Sequence, residues 1–278
     1  MSSTLILGAR GTVGSALVGE LRAAGQAVLK ATHQAPQAAD EVNLNLLTGE
    51  GVDAAFDRAD RAFLLVPPGH MNPQELLAAP IEAARRRGVR KVVLMTAMGA
   101  NADPSIPLRQ AELLLERSGV PFNIVRPNWF MQNFHTYWLH GIRTLGRIQL
   151  PVGPAKGSFI DARDIASTVA ALLMRQDVDG RDYDLTGGEA LDHDQAAALL
   201  STATGRAITY EEISPEAMRA GLLSAGLPAD YVEFMLVILG YFKAGAAERI
   251  TDAVPSLTGR APRRFADYAM EHRAAWVA

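Results

Sequence analysis

The sequence predicts an α/β fold, a doubly wound parallel sheet with a smaller, mostly helical C-terminal part. Near its start a short apolar run, Leu5-Ile6-Leu7, enters a glycine-rich turn and then an amphipathic helix. Apolar, β-branched segments then alternate with helical periodicities through the first half, the pattern of parallel strands joined by helical crossovers. The 278 residues contain no cysteine, so disulfides and thiolate metal sites are ruled out and the core must hold the fold. A domain of this size buries about three quarters of the surface of its unfolded chain.

The opening unit reads Leu5-Ile6-Leu7-Gly8-Ala9-Arg10-Gly11-Thr12-Val13-Gly14, with glycines spaced G-x-x-G-x-x-G between strand and helix. In such a unit Gly8 permits the tight turn, Gly11 lets a pyrophosphate approach the backbone, and Gly14 lets helix pack on strand. A diphosphate rests on the free N–H groups at the positive end of the helix, which makes this a dinucleotide-binding turn of the Rossmann type. Val13, Leu17 and Leu21 share one face of that helix and Gly25 stops it.

Residues 27–30 read as a second strand, and 61–66 as another that ends at Pro67-Pro68-Gly69. A helix over 75–87 stops at Gly88, and a strand over 91–96 runs into Ala97-Met98-Gly99. A helix over 108–118 stops at Gly119, and a strand over 122–126 ends at Pro127. Past that point a helix follows Asp161 and Asp164 and ends near Arg175, with Asp164 as its cap. A strand over 183–186 precedes Gly187-Gly188, Asp192 caps a helix that ends at Thr204-Gly205, and 208–211 suits another strand. Ser214-Pro215-Glu216 and Leu227-Pro228 open two more helices, and a last one carries Phe265, Tyr268 and Trp276. The division expected is an NAD(P)-binding domain over 1–150 and a substrate-binding part over 151–278, interleaved with the sheet rather than independent.

Composition narrows the function. A formal net charge of -3 gives no electrostatic footprint for nucleic acid, and Arg85-Arg86-Arg87 fits a solvated helix end. The histidines at 33, 70, 135, 140, 193 and 272 form no H-x-x-x-H pair, so no metal site is expected. The first residues lack the basic and apolar regions of a signal peptide, and the longest apolar run, 234–242, is half a membrane span. The expectation is a cytoplasmic protein acting on a small molecule, with no nucleic-acid or membrane partner.

An enzyme that selects NAD places an acid at the end of its second strand to hold the ribose 2′-hydroxyl. Here that strand runs into Lys30-Ala31-Thr32-His33-Gln34, with no acid. The absence favours NADP(H) over NAD(H), and Arg10 with Thr32, His33 or Lys30 supplies charge and donors for a 2′-phosphate.

Five stretches in this order resemble the NmrA-like atypical short-chain dehydrogenase/reductases, a group that includes NADPH:quinone reductases, triphenylmethane reductase and NADP-sensing regulators. They are Gly8 to Gly14, Val92-Val93-Leu94-Met95-Thr96-Ala97-Met98-Gly99-Ala100, Ser118-Gly119-Val120-Pro121-Phe122, Val125-Arg126-Pro127-Asn128-Trp129-Phe130-Met131-Gln132-Asn133 and Phe159-Ile160-Asp161-Ala162-Arg163-Asp164-Ile165-Ala166. The resemblance implies that Val66-Pro67-Pro68 and Thr96-Ala97-Met98 flank the cofactor ribose and nicotinamide. It further implies that Pro127-Asn128-Trp129 closes the nicotinamide side, and that Trp129, Phe130, Phe134 and Trp138 line a substrate pocket. The chain departs from the family where the second strand lacks a following arginine, and where Leu108 stands in place of a helix histidine four residues before Glu112.

No tyrosine is followed four residues later by lysine, so the usual Tyr-x-x-x-Lys pair for carbonyl reduction is missing. A quinone, conjugated alkene or iminium is already electrophilic, and proximity to the nicotinamide supplies much of the rate. Candidate acids for the final proton are His70, His135 and Tyr137, with His140 beside them. The cluster of Phe134, His135, Tyr137 and Trp138 suits core, pocket wall or the surface of a homodimer equally. The rival reading is a non-catalytic sensor that binds NADP(H) and signals to a protein partner.

Overall fold

The computed structural model describes residues 3–67 and 69–277. The chain falls into two compact units, each assembled from three stretches: 1–127, 162–185 and 253–260 in the first, and 128–161, 186–252 and 261–278 in the second.

The first unit holds a seven-stranded, all-parallel sheet. Its strands are β1 (Ser3–Ile6), β2 (Ala27–Thr32), β3 (Glu41–Asn43), β4 (Arg61–Leu64), β5 (Lys91–Met95), β6 (Phe122–Pro127) and β8 (Arg181–Leu185). Their order is β3-β2-β1-β4-β5-β6-β8, so the chain reverses direction across the sheet between β1 and β4. Side-chain alternation sends Leu5, Leu7, Ala62, Leu64, Val92 and Leu94 to one face. There they pack on α2 (Val52–Phe56), α3 (Pro73–Arg86) and α4 (Pro107–Glu116). Ile6, Phe63 and Val93 point the other way and are equally buried, under α1 (Thr12–Ala23) and α6 (Ala162–Met174), which pack side by side. α10 (Ala253–Thr258) joins α6 in the same unit.

The second unit is mostly helical, with one short parallel pair, β7 (Arg147–Leu150) and β9 (Thr209–Glu212). Its helices are α5 (Leu139–Leu145), α7 (His193–Thr204), α8 (Pro215–Ser224), α9 (Ala229–Lys243) and α11 (Phe265–Glu271). Phe134, Phe159, Phe242, Phe265, Tyr268 and Trp276 share its core with aliphatic residues such as Met131, Ile148 and Leu200, and the Trp276 indole N–H donates to the Phe134 carbonyl at 2.7 Å.

Several elements differ from the expected pattern. β2 runs two residues further, to Thr32, because Ala31 and Thr32 pair with Val42 and Asn43 of β3. β3, α2 and α10 are too short to show a period, and pairing or packing alone defines them. The expected last helix is two pieces, α11 and a 3-10 turn at Arg273–Trp276. Asp161, not Asp164, stands immediately before the first residue of α6, and Asp164 lies inside the first turn. An acid in the first turn is favourable beside the positive helix end without being the cap.

Candidate cofactor and acceptor sites

In the first unit the turn after β1 is built as its glycines require. Gly8 has φ +65°, and the Gly11 N–H closes the turn on the Gly8 carbonyl at 2.8 Å. A Cβ on Gly14 would lie 2.1 Å from that same oxygen, so only glycine lets α1 start here. No side chain caps α1 and no acid occupies its first turn. Gly8, Arg10, Gly11 and Thr12 are exposed, whereas Val13 and Gly14 are buried. The turn thus presents a small, uncapped, positive helix end, and a Cβ-free cradle that suits a diphosphate.

At the strand ends beside this turn, the structure adds an acid that the strand pattern did not reveal. Glu41, the first residue of β3, sits opposite Lys30 in the sheet. Its carboxylate pairs with Arg10 at 3.0 Å and Lys30 at 3.4 Å, and accepts the Gln37 N–H at 2.9 Å. The Gln37 N–H and the Arg10 guanidinium hold the Glu41 carboxyl down to about 2. Arg10 remains 61% exposed on this partner, so the expected phosphate-binding cation is present but shared. Thr32 is buried, its hydroxyl accepts the Gln34 N–H at 3.2 Å, and His33 is exposed. At the end of β3, Asn43 Oδ1 is buried without a partner while its amide donates to Glu50 at 3.2 Å, an acceptor free for a ligand donor.

Further along the same sheet end, Val66 is half-buried and Pro67 exposed, while Pro68 lies outside the described residues. The Thr96 and Met98 N–H groups donate to the Val125 and Pro127 carbonyls, both at 3.0 Å, which ties the loop after β5 to the end of β6. Ala97 and Met98 are half-buried. The Thr96 hydroxyl is committed: it donates to Glu112 at 2.6 Å. Glu112 also receives both arms of Arg126, each at 2.8 Å, and Arg126 reaches Asp182 in turn. Burial alone would raise the Glu112 carboxyl, but hydrogen bonds from Arg126, Thr96 and Arg109 outweigh it and hold the group below its usual range. This network fixes the loop. It is scaffolding.

In the second unit Asn128 is likewise scaffolding. Its Oδ1 accepts the Trp129 N–H at 2.9 Å, and its amide donates to Ser158 Oγ at 2.6 Å and the Ala247 carbonyl at 2.8 Å. The backbone of Trp129, Phe130 and Met131 is pinned along Ile160, and Phe130 is half-buried. Trp129 stacks on Trp138 at 6.1 Å and meets Phe242 edge-on at 5.6 Å, with both indoles half-buried. Phe134 is fully buried against Trp138, Phe159 and Phe265 at 4.6–5.1 Å.

The expected proton donors meet different surroundings. His70 is exposed on its loop, and Tyr137 is 69% exposed. His135 Nδ1 is bonded to the Tyr268 hydroxyl, and its ring lies 5.1 Å from His272. Burial and the neighbouring His272 lower its pKa. A different histidine stands out. His193, the first residue of α7, is 1% exposed and neither ring nitrogen has a hydrogen-bond partner. Burial pushes its pKa down to about 4, so the ring is neutral. A buried polar group left unpaired costs about 1–3 kcal/mol. In sequence it is one histidine after a capping aspartate, and no local signal marks it. Among the described residues no group of three or more His, Cys, Asp or Glu could hold a metal. Nor is any described helix long and apolar enough to cross a membrane.

The model of a family described as NAD(P)H-binding matches residues 8–176. An uncharacterized oxidoreductase of Bacillus subtilis (strain 168), YesF, is 32% identical over 278 residues, 98% of this chain and 96% of that one. An NAD(P)H azoreductase of Xenophilus azovorans is 32% identical over 288 residues, 99% of each chain. Among solved structures, the NADPH complex of the quinone oxidoreductase QOR2 from Escherichia coli superposes with a TM-score of 0.84 at 19% identity, covering 96% of this chain and 99% of that one. That likeness establishes the shared fold.

Proposed function

This chain belongs to the NAD(P)H-binding family, and on that footing we propose that it is an NmrA-like oxidoreductase that reduces a planar electrophile, a quinone, conjugated alkene or iminium, with NADPH. The observation that carries the acceptor class is the ring-lined interior of the second unit, where Trp129, Trp138 and Phe242 meet at 5.6–6.1 Å. Flat aromatic faces bind flat, electron-poor rings by offset stacking and exclude water. The azoreductase relative supports the same class, since an azo compound is a conjugated electrophile.

When bound, the dihydronicotinamide supplies the hydride. The chain's own residues bind and orient. Gly8, Gly11 and the open end of α1 take the diphosphate. Arg10, with Thr32 and His33 at the end of β2, favours the 2′-phosphate, and Asn43 Oδ1 accepts from the adenine side. Thr96, Ala97 and Met98 are held in place through Glu112 and Arg126, and Asn128 fixes Trp129. No Tyr-x-x-x-Lys pair is needed, because these acceptors do not require a strong acid to become electrophilic.

The test is NADPH oxidation, followed by loss of its absorbance, with a panel of quinones, enones and cyclic iminium compounds, and NADH in parallel. Acceptor-dependent turnover that favours NADPH supports the reading. Tight cofactor binding without turnover on any of them would instead identify a sensor of NADP(H).

A further inference from the structure

Building on that reductase reading, we propose that His193 is the group that hydrogen-bonds the acceptor inside the aromatic cage of the second unit. Five rings surround its imidazole among the described residues: Phe242 at 5.3 Å, Tyr210 at 5.4 Å, Trp138 at 5.5 Å, Phe159 at 5.6 Å and Phe134 at 6.1 Å. None of these contacts satisfies a ring nitrogen. The helix end does not need the imidazole either. Asp192 accepts the Gln195 N–H at 2.7 Å and Gln195 returns a bond to the Asp192 N–H at 3.1 Å, a closed capping box. The one phenol in the cage is also engaged, donating to the Leu150 carbonyl at 2.8 Å and accepting from Val152 at 3.4 Å.

A phenylalanine would fill the same space and make the same ring contacts with no polar group to desolvate. What the imidazole alone adds is one N–H donor and one lone pair in the midst of packed rings. Trp138 and Tyr210 are half-buried, so this pair of atoms lies one ring beneath the surface. A planar ligand that displaces one of those rings meets stacking faces first and the imidazole last. The neutral ring donates to a carbonyl oxygen and accepts from an N–H, and His193 therefore selects for a ring that bears a polar atom in its plane. A site built around an unpaired polar group rejects the isostere that cannot pair with it.

The experiment uses the full chain as wild type, His193→Phe and His193→Gln, with NADP+ present to block reduction. Binding of 1,4-naphthoquinone and of naphthalene is followed by quenching of tryptophan fluorescence, which Trp138 reports directly. Cofactor affinity is measured by calorimetry and naphthoquinone reduction by steady-state kinetics. His193→Phe is expected to raise Tm by a few degrees and leave NADPH affinity unchanged. It should weaken naphthoquinone at least tenfold while naphthalene binds as before, and raise the naphthoquinone KM in step. His193→Gln, which keeps a donor and an acceptor, should recover part of the loss. If both ligands weaken together, or neither does, in a wild-type protein that reduces naphthoquinone, the role of His193 is refuted and the reductase reading stands. If the wild type binds NADPH but neither binds nor reduces the quinone, nor turns over any enone or iminium compound, both fail.

Discussion

Arg10 and Glu41 set the residue-scale question of cofactor choice. The guanidinium is exposed but tethered by a carboxylate that is itself held by the Gln37 N–H. A 2′-phosphate must compete with Glu41 for Arg10, whereas a 2′-hydroxyl need not. Arg10→Ala should weaken NADPH by about tenfold, the value of one charge-assisted hydrogen bond, and leave NADH nearly unchanged. Glu41→Gln should act the opposite way, releasing Arg10 and tightening NADPH. Calorimetry with both cofactors decides it, and equal NADPH affinity in all three proteins would remove Arg10 from the site. Gly14→Ala is a sharper test of the turn. Its Cβ would fall 2.1 Å from the Gly8 oxygen, so either α1 or the turn must shift. We expect about 1–3 kcal/mol of lost stability in thermal unfolding, together with lost cofactor binding.

Elements are positioned by buried polar joints as much as by apolar faces. α4 and β6 are joined by Glu112 and Arg126, both almost wholly buried, and the same carboxylate holds Thr96 at the end of β5. Removing one partner leaves an uncompensated buried charge, so Glu112→Ala should cost about 3–5 kcal/mol in urea denaturation. A loss below about 1 kcal/mol would mean that Asp182 and Asp184 already satisfy Arg126 without it. α7 offers a smaller, cleaner case. Asp192→Ala opens the capping box and should cost about 1 kcal/mol, without moving His193 out of its cage.

Over the whole molecule, pH reports on His193. The unfolded chain protonates this histidine near 6.5 and the folded one near 4, so between those values the unfolded chain binds more protons. Stability is therefore full above pH 6.5 and falls as the pH drops toward 4, by about 3 kcal/mol from this group alone. His135, lowered by burial and by His272, adds a loss of the same sign. Paired carboxylates such as Glu112 contribute theirs only below their own unfolded pKa of 4.5. Denaturation curves measured across that range should show a slope that His193→Phe largely removes, and an unchanged slope would show that the ring is not protonated on unfolding. How far all this was legible in the chain depends on range. The glycine turn, the parallel sheet, Asp192 as a cap and the missing acid at the end of β2 were written in contiguous residues, where steric rules and periodicity act over a few positions. Glu41 was not, since it reaches Arg10 across 31 positions and belongs to a strand of only three residues. The tying of Thr96 to Glu112 and the commitment of Asn128 to Ser158 were hidden too, because a side chain's partner is chosen by packing and not by its neighbours in sequence. His193 shows the division most clearly. Sequence alone determined that a histidine follows the cap of α7. Only tertiary structure decided that five rings from distant stretches close around it and deprive it of water, because burial belongs to the assembled core and to no segment of the chain.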